Sequence, residues 1–186
     1  TGTNNTFIGQ DAGEANTTGS YNTVVGSDAA DAITTGSANT IFGYNAGSAI
    51  TTADGNTAFG KDALESVTTG VNTAVGGNAL AAVTTAAGNT AVGQDALSVT
   101  TAEKNTAVGA YALDTNSTGV RNTAVGWAVM DSNTTGSNNT AIGYAALDAN
   151  TTAANNTAVG YQALTANITG TDNVAVGKET MLSNTS

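Results

Sequence analysis

A five-residue phrase, in its commonest form Asn-Thr-Ala-Val-Gly, returns eleven times along the 186 residues and leaves little choice of architecture. Its anchor asparagines are Asn5, Asn22, Asn39, Asn56, Asn72, Asn89, Asn105, Asn122, Asn139, Asn156 and Asn173. Intervals are 17 residues, except for 16 from Asn56 to Asn72 and from Asn89 to Asn105. Glycine follows four residues after every anchor, from Gly9 to Gly177, and threonine directly follows ten of them, with Val174 in the last. A unit this short excludes helical-pair repeats and propeller blades, which need about 33 to 45 residues. The units are expected to be coils of an all-β parallel β-solenoid, a β-roll forming one repeat domain over residues 1–186. With strands about 4.8 Å apart the rod would be roughly 50 Å long. Within a coil the sequence predicts a short strand at Thr-Ala-Val, a turn at Gly, a second short strand through Ala-Leu and a looser return around Thr-Thr-Gly. One-turn helices at the Ala-Leu segments are the competing reading.

Composition agrees with a thin coil. Ala, Thr, Gly and Asn dominate, while bulky side chains are too scarce for a wide globular core. Four Lys and Arg stand against fourteen Asp and Glu, a net charge of −10. A nucleic-acid binder must neutralise phosphates with cations, and an anionic membrane calls for a basic face; the chain has neither. It also lacks His and Cys, so it offers no imidazole base, thiolate or soft metal site. We expect no enzyme, no cofactor and no membrane insertion by this segment. Neither end carries a capping sequence, which predicts either continuation in a longer fibre or head-to-tail stacking.

Two positions of the unit vary together. The third is bulky in the first three copies (Phe7, Val24, Ile41), where the ninth is small (Gly13, Ala30, Gly47). From the fourth copy onward the third is Ala and the ninth is Leu64, Leu80, Leu97, Leu113, Met130, Leu147, Leu164 or Met181. Close-packed interiors tolerate swaps that conserve volume, so positions three and nine should share one packed layer, across a coil or across an interface. Position four is apolar throughout, from Ile8 to Val176. Strand side chains alternate faces, so positions three and four cannot both point into one roll. A second copy of the chain covering the outer set is the leading expectation.

The phrases Asn-Thr-Ala-Ile-Gly (139–143) and Asn-Val-Ala-Val-Gly (173–177) resemble the head repeat of YadA-like trimeric autotransporter adhesins, whose motif runs Asn-Ser-Val-Ala-Ile-Gly. Asn-Asn-Thr-Ala-Val-Gly-Tyr-Gln-Ala-Leu (155–164) is similar to repeats of bacterial surface and phage tail-fibre proteins. The resemblance covers the whole chain. It implies a left-handed β-roll, three chains wound as a trimer, and attachment at a cell surface or virion. The expected function is a structural or adhesive segment of an extracellular fibre, with itself and a host-surface or matrix glycan as partners. The alternative is a carbohydrate- or ice-binding solenoid.

Four features are candidates for recognition. Trp127, Tyr144 and Tyr161 occupy the sixth position of consecutive units and should stack as a stripe, either as structural packing or as a glycan platform. Asp11, Asp28, Asp62 and Asp95 occupy the seventh position, with Asn45 and Asn78 between them, as an exposed acidic column or as oxygen ligands for Ca²⁺. Threonine pairs, such as Thr34-Thr35 and Thr134-Thr135, invite an ice-binding reading. The residue before each pair is Ile33, Ile50, Val67, Val83 and Val99 in the middle, and Asn elsewhere. Those asparagines (Asn16, Asn116, Asn133, Asn150, Asn167, Asn184), with Asn4, Asn138 and Asn155, begin glycosylation sequons; corner-turn asparagines are the plainer reading.

Overall fold

The computed structural model describes residues 2–185. It is an all-β parallel solenoid of about ten turns, with no helix among the described residues. Each repeat contributes one three-residue strand: β1 Thr6–Ile8, β2 Thr23–Val25, β3 Thr40–Phe42, β4 Thr57–Phe59, β5 Thr73–Val75 and β6 Thr90–Val92. The rest are β7 Thr106–Val108, β8 Thr123–Val125, β9 Thr140–Ile142, β10 Thr157–Val159 and β11 Val174–Val176. They form one parallel sheet in chain order, so each strand lies between its copies in the preceding and following coils. Register is one to one, and the 16-residue coils do not break it: Thr57 pairs Thr73 and Thr90 pairs Thr106.

The expected second strand through Ala-Leu does not form. That segment is a turn in every coil, because the seventh and ninth positions adopt left-handed backbone angles. The ninth-position Leu and Met residues all have φ between 51° and 55°. The gain is in bonds along the rod. Asp62 N–H donates back to the Tyr44 carbonyl of the preceding coil at 3.0 Å, and Leu64 N–H donates forward to Ala79 of the next at 3.0 Å. A left-handed conformation costs about 1–2 kcal/mol for a side-chain-bearing residue. Full burial of a leucine gives back about 1.5–3 kcal/mol, and Leu64, Leu80, Leu97, Leu113, Leu147 and Leu164 are completely buried.

The interior is the layer that the covarying positions suggested, and it lies within single coils. A Cβ built on Gly13 would come 2.4 Å from the Phe7 ring, and one on Gly47 would come 3.0 Å from Cδ1 of Ile41. From coil four on, Ala at position three and Leu or Met at position nine fill the same space. Each chain therefore closes its own core. Position four points out of the roll on the other face of the strand.

One assignment in the return is corrected. Val99 is not the inward residue of its coil: it is 48% exposed, and Thr100 is fully buried in its place. The inward slot lies three residues beyond position nine, as from Leu80 to Val83, and from Leu97 that count reaches Thr100; the residue missing from this 16-residue coil falls beyond it, before Ala102. There Thr100 Oγ1 accepts from Ala102 N–H at 3.1 Å and from Asn116 Nδ2 at 3.3 Å. It joins an aliphatic corner (Ile33, Ile50, Val67, Val83) to an asparagine corner beginning at Asn116.

The shared layer makes a checkable prediction in coil six. Leu97→Gly should destabilise by about 2–4 kcal/mol, a cavity loss partly offset by relief of the left-handed backbone. Ala91→Ile should cost about 1–3 kcal/mol through overpacking. The double variant reproduces the Ile41/Gly47 pair, and denaturant melts should show a favourable coupling of about 1–3 kcal/mol. Additive losses would mean that the two positions do not share a layer.

Candidate functional site

The anchor asparagines are not surface turn residues. Asn22, Asn39, Asn56, Asn72, Asn89, Asn105, Asn122, Asn139 and Asn156 are buried. The Oδ1 of Asn22 accepts the backbone N–H of Asn39 at 2.9 Å, and the same bond recurs between successive anchors from Asn5 to Asn173. The amide nitrogen reaches across its own coil, as from Asn22 to the Gly36 carbonyl at 2.8 Å and from Asn105 to the Gly119 carbonyl at 2.9 Å. For the nine buried anchors the hydrogen-bonding capacity is spent inside the rod.

The sequon asparagines divide into two groups. Asn116, Asn133, Asn150 and Asn167 are completely buried. Their amide nitrogens donate inward, to the Gly119, Gly136, Ala153 and Gly170 carbonyls at 2.9 to 3.2 Å. In the folded chain these four offer nothing to a glycosyl transferase, and the corner-turn reading describes them. Asn16 and Asn184 are half-buried, and the third residue of the Asn184 sequon, Ser186, lies outside the described residues. Asn4, Asn138 and Asn155 are exposed, in left-handed turns just before an anchor.

The aromatic stripe forms as a stack. Trp127 and Tyr144 have ring centroids 5.2 Å apart and nearly parallel planes; Tyr144 and Tyr161 follow at 5.1 Å. Tyr111 meets Trp127 edge-on at 6.1 Å, and Lys178 Nζ lies 5.7 Å from the Tyr161 centroid. Ring faces are thus turned to one another and to a cation, and edges face solvent. A sugar docks on a ring face, so this geometry favours structural packing over a glycan platform.

The seventh-position column has a backbone explanation. Asp and Asn tolerate left-handed angles better than most residues, and Asp11, Asp28, Asn45, Asp62, Asn78 and Asp95 all have φ between 55° and 57°. They bond along the rod, Asn45 Nδ2 to Asp62 Oδ1 at 2.9 Å and Asn78 Nδ2 to Asp95 Oδ1 at 2.8 Å. No group of three or more side chains suited to hold a metal comes together among the described residues. In several threonine pairs the first hydroxyl is committed to the rod, while the second threonine, such as Thr35, Thr69 or Thr135, is exposed. Thr34, Thr68 and Thr134 donate their hydroxyls to carbonyls of the next coil at 3.0 to 3.2 Å.

What remains open is the outer face of the sheet. Positions two and four of every strand project from it, threonine (Val174 in β11) beside an aliphatic or Phe, with no charged residue in either rank. Ile8, Phe59, Val75, Ile142 and Val176 are exposed, and Phe42 stacks on Phe59 at 4.7 Å. No concave pocket opens among the described residues. Recognition on this molecule is therefore a matter of faces. Sequence reasoning flagged the fourth position but passed over the strand threonines, whose strict recurrence beside it was the available signal.

No family model matches the chain, and no curated protein or solved structure matches it.

A second acidic column stands at the tenth position, where Asp114, Asp131 and Asp148 follow one another in adjacent coils. Burial raises the Asp131 carboxyl above the ordinary carboxylate range, and the charges of Asp114 and Asp148 raise it further; burial also raises Asp148. The hydrogen bond from Lys61, at 2.6 Å, lowers Asp62. For Asp131 and Asp148 the folded state holds the proton more tightly than the unfolded chain. Their stabilising contribution is present below the ordinary carboxylate pKa and lost as pH rises through the raised value. Melting temperature should therefore climb as pH falls from 7 toward about 4. Asp131→Asn should raise it at pH 7 and shrink the gain on acidification. A variant less stable than the parent at pH 7 would contradict this.

Proposed function

We propose that the chain is a structural and adhesive segment of an extracellular fibre, belonging to a cell-surface adhesin, a phage tail fibre or a filament. The observation that carries this reading is the unbroken, in-register sheet from Thr6 to Val176 with one uncharged outer face. A stack that buries its polar backbone coil by coil makes a stiff spacer, because each coil is bonded to both neighbours and has no hinge between them. Left-handed winding, assembly into trimers and head-to-tail stacking belong to the same reading and rest on the resemblance of the repeat to YadA-like heads. The outer face is then where the segment meets its partner surface, either another copy in a bundled fibre or the attachment target. A surface glycan gains less support, since the aromatic rings present edges.

Immunogold electron microscopy of the native source with an antibody to this chain tests the reading. Gold should decorate fibres outside the cell or on the virion. Diffuse intracellular label with no fibre would contradict it.

A further inference from the structure

We propose that the outer face of the sheet binds ice, its two ranks of side chains holding a lattice of ordered water that merges with the crystal surface. The inference rests on the adhesive reading above and names its attachment target. Six consecutive strands carry the regular part of the face: Thr73, Thr90, Thr106, Thr123, Thr140 and Thr157 in one rank, with Val75, Val92, Val108, Val125, Ile142 and Val159 in the other.

Four observations select ice over a protein partner. First, none of these threonine hydroxyls is hydrogen-bonded within the protein, whereas the first threonine of several return pairs is committed to a carbonyl, as in Thr68 to Thr84 and Thr134 to Thr151. Free hydroxyls beside methyl groups, with no charge, can anchor water without disordering it. Second, the ranks are a two-dimensional lattice. Strands repeat about every 4.8 Å, and alternate residues along a strand are about 7 Å apart. Those repeats are close to oxygen repeats on a prism face of hexagonal ice. Third, the lattice survives irregularity elsewhere. Both one-residue deletions fall in the return, and the strand pairs Thr57–Thr73 and Thr90–Thr106 keep their register. Fourth, the face has no pocket or knob-and-hole relief to seat a protein side chain over these six strands, since every residue of the outer ranks is a Thr, Val or Ile. The larger Phe42 and Phe59 lie outside the stretch.

The test uses the whole 186-residue chain, with ice as the probe. Purified protein should show thermal hysteresis and should partition into a slowly grown ice hemisphere. Thr106→Tyr, in the middle of the rank, should reduce hysteresis several-fold with an unchanged melting temperature, whereas Thr85→Lys on the exposed return should leave it intact. Sedimentation of the same samples should show the face free. Absence of hysteresis and partitioning, equal activity of Thr106→Tyr, or a stable oligomer whose ice activity appears only on dissociation would each overturn the proposal. Fibre label in immunogold together with ice inactivity would remove the ice target alone and leave the fibre reading in place.

Discussion

Each coil of this solenoid is tied to the next by one buried asparagine, and that side chain is the constraint on which the rest depends. Its oxygen takes the backbone N–H of the following anchor, and its amide nitrogen spans the coil to a carbonyl on the return. A buried amide left unpaired costs about 1–3 kcal/mol, so each anchor demands a partner at a fixed distance on both sides. Repeating that demand makes the coil length nearly invariant. The two 16-residue coils show its limits: in the Asn56 coil the amide nitrogen reaches only the Asp54 carbonyl, at 3.4 Å, and the cross-coil bond is lost. In the Asn89 coil the cross-coil bond shifts to the carbonyl of Ala102, 13 residues on, where its neighbours use 14, and the strand register stays intact.

Once the anchors fix the strand, three residues carry both the inside and the outside of the rod. The middle residue is inward and shares its layer with position nine; the flanking ones face solvent. The turn that follows requires the glycine four residues after the anchor. In coil six, Gly93 has φ near 139°, and a Cβ there would meet the Gly109 backbone at 2.5 Å. Beyond it, left-handed residues turn successive N–H groups toward opposite neighbours, so backbone bonding continues along the rod where no strand exists.

The coil period, the parallel strand and the inward layer were legible because each leaves a pattern within one chain: a spacing, a Thr-Ala-Val phrase, a volume exchange between Ile41/Gly47 and Ala58/Leu64. The left-handed leucines were not. Leucine at positive φ is disfavoured locally, and only bonds to adjacent coils stabilise it. The inward role of Thr100 was equally hidden, since its neighbour Val99 fits the aliphatic column by type and the missing residue falls beyond them, before Ala102. For the candidate site, the outer row was readable as an apolar rank, and the aromatic stack followed from the spacing. Which hydroxyls are free was not readable: the threonines are chemically identical, and only the hydrogen bonds of the folded chain show that Thr34, Thr68 and Thr134 are committed while the strand threonines are not.

The outer face and the buried ladder are two consequences of one period, because the bonds that hold coils in register also place the threonines at equal intervals. A rigid inner ladder is thus the condition for any role that the outer face performs. Hydrogen exchange followed by NMR tests it most directly. The backbone N–H groups of Asn39 to Asn156, each held by the preceding asparagine, should rank among the slowest in the chain, with the Asn105 side-chain amide protected alongside them. Fast exchange at the anchors, with protection confined to the strands, would contradict the account.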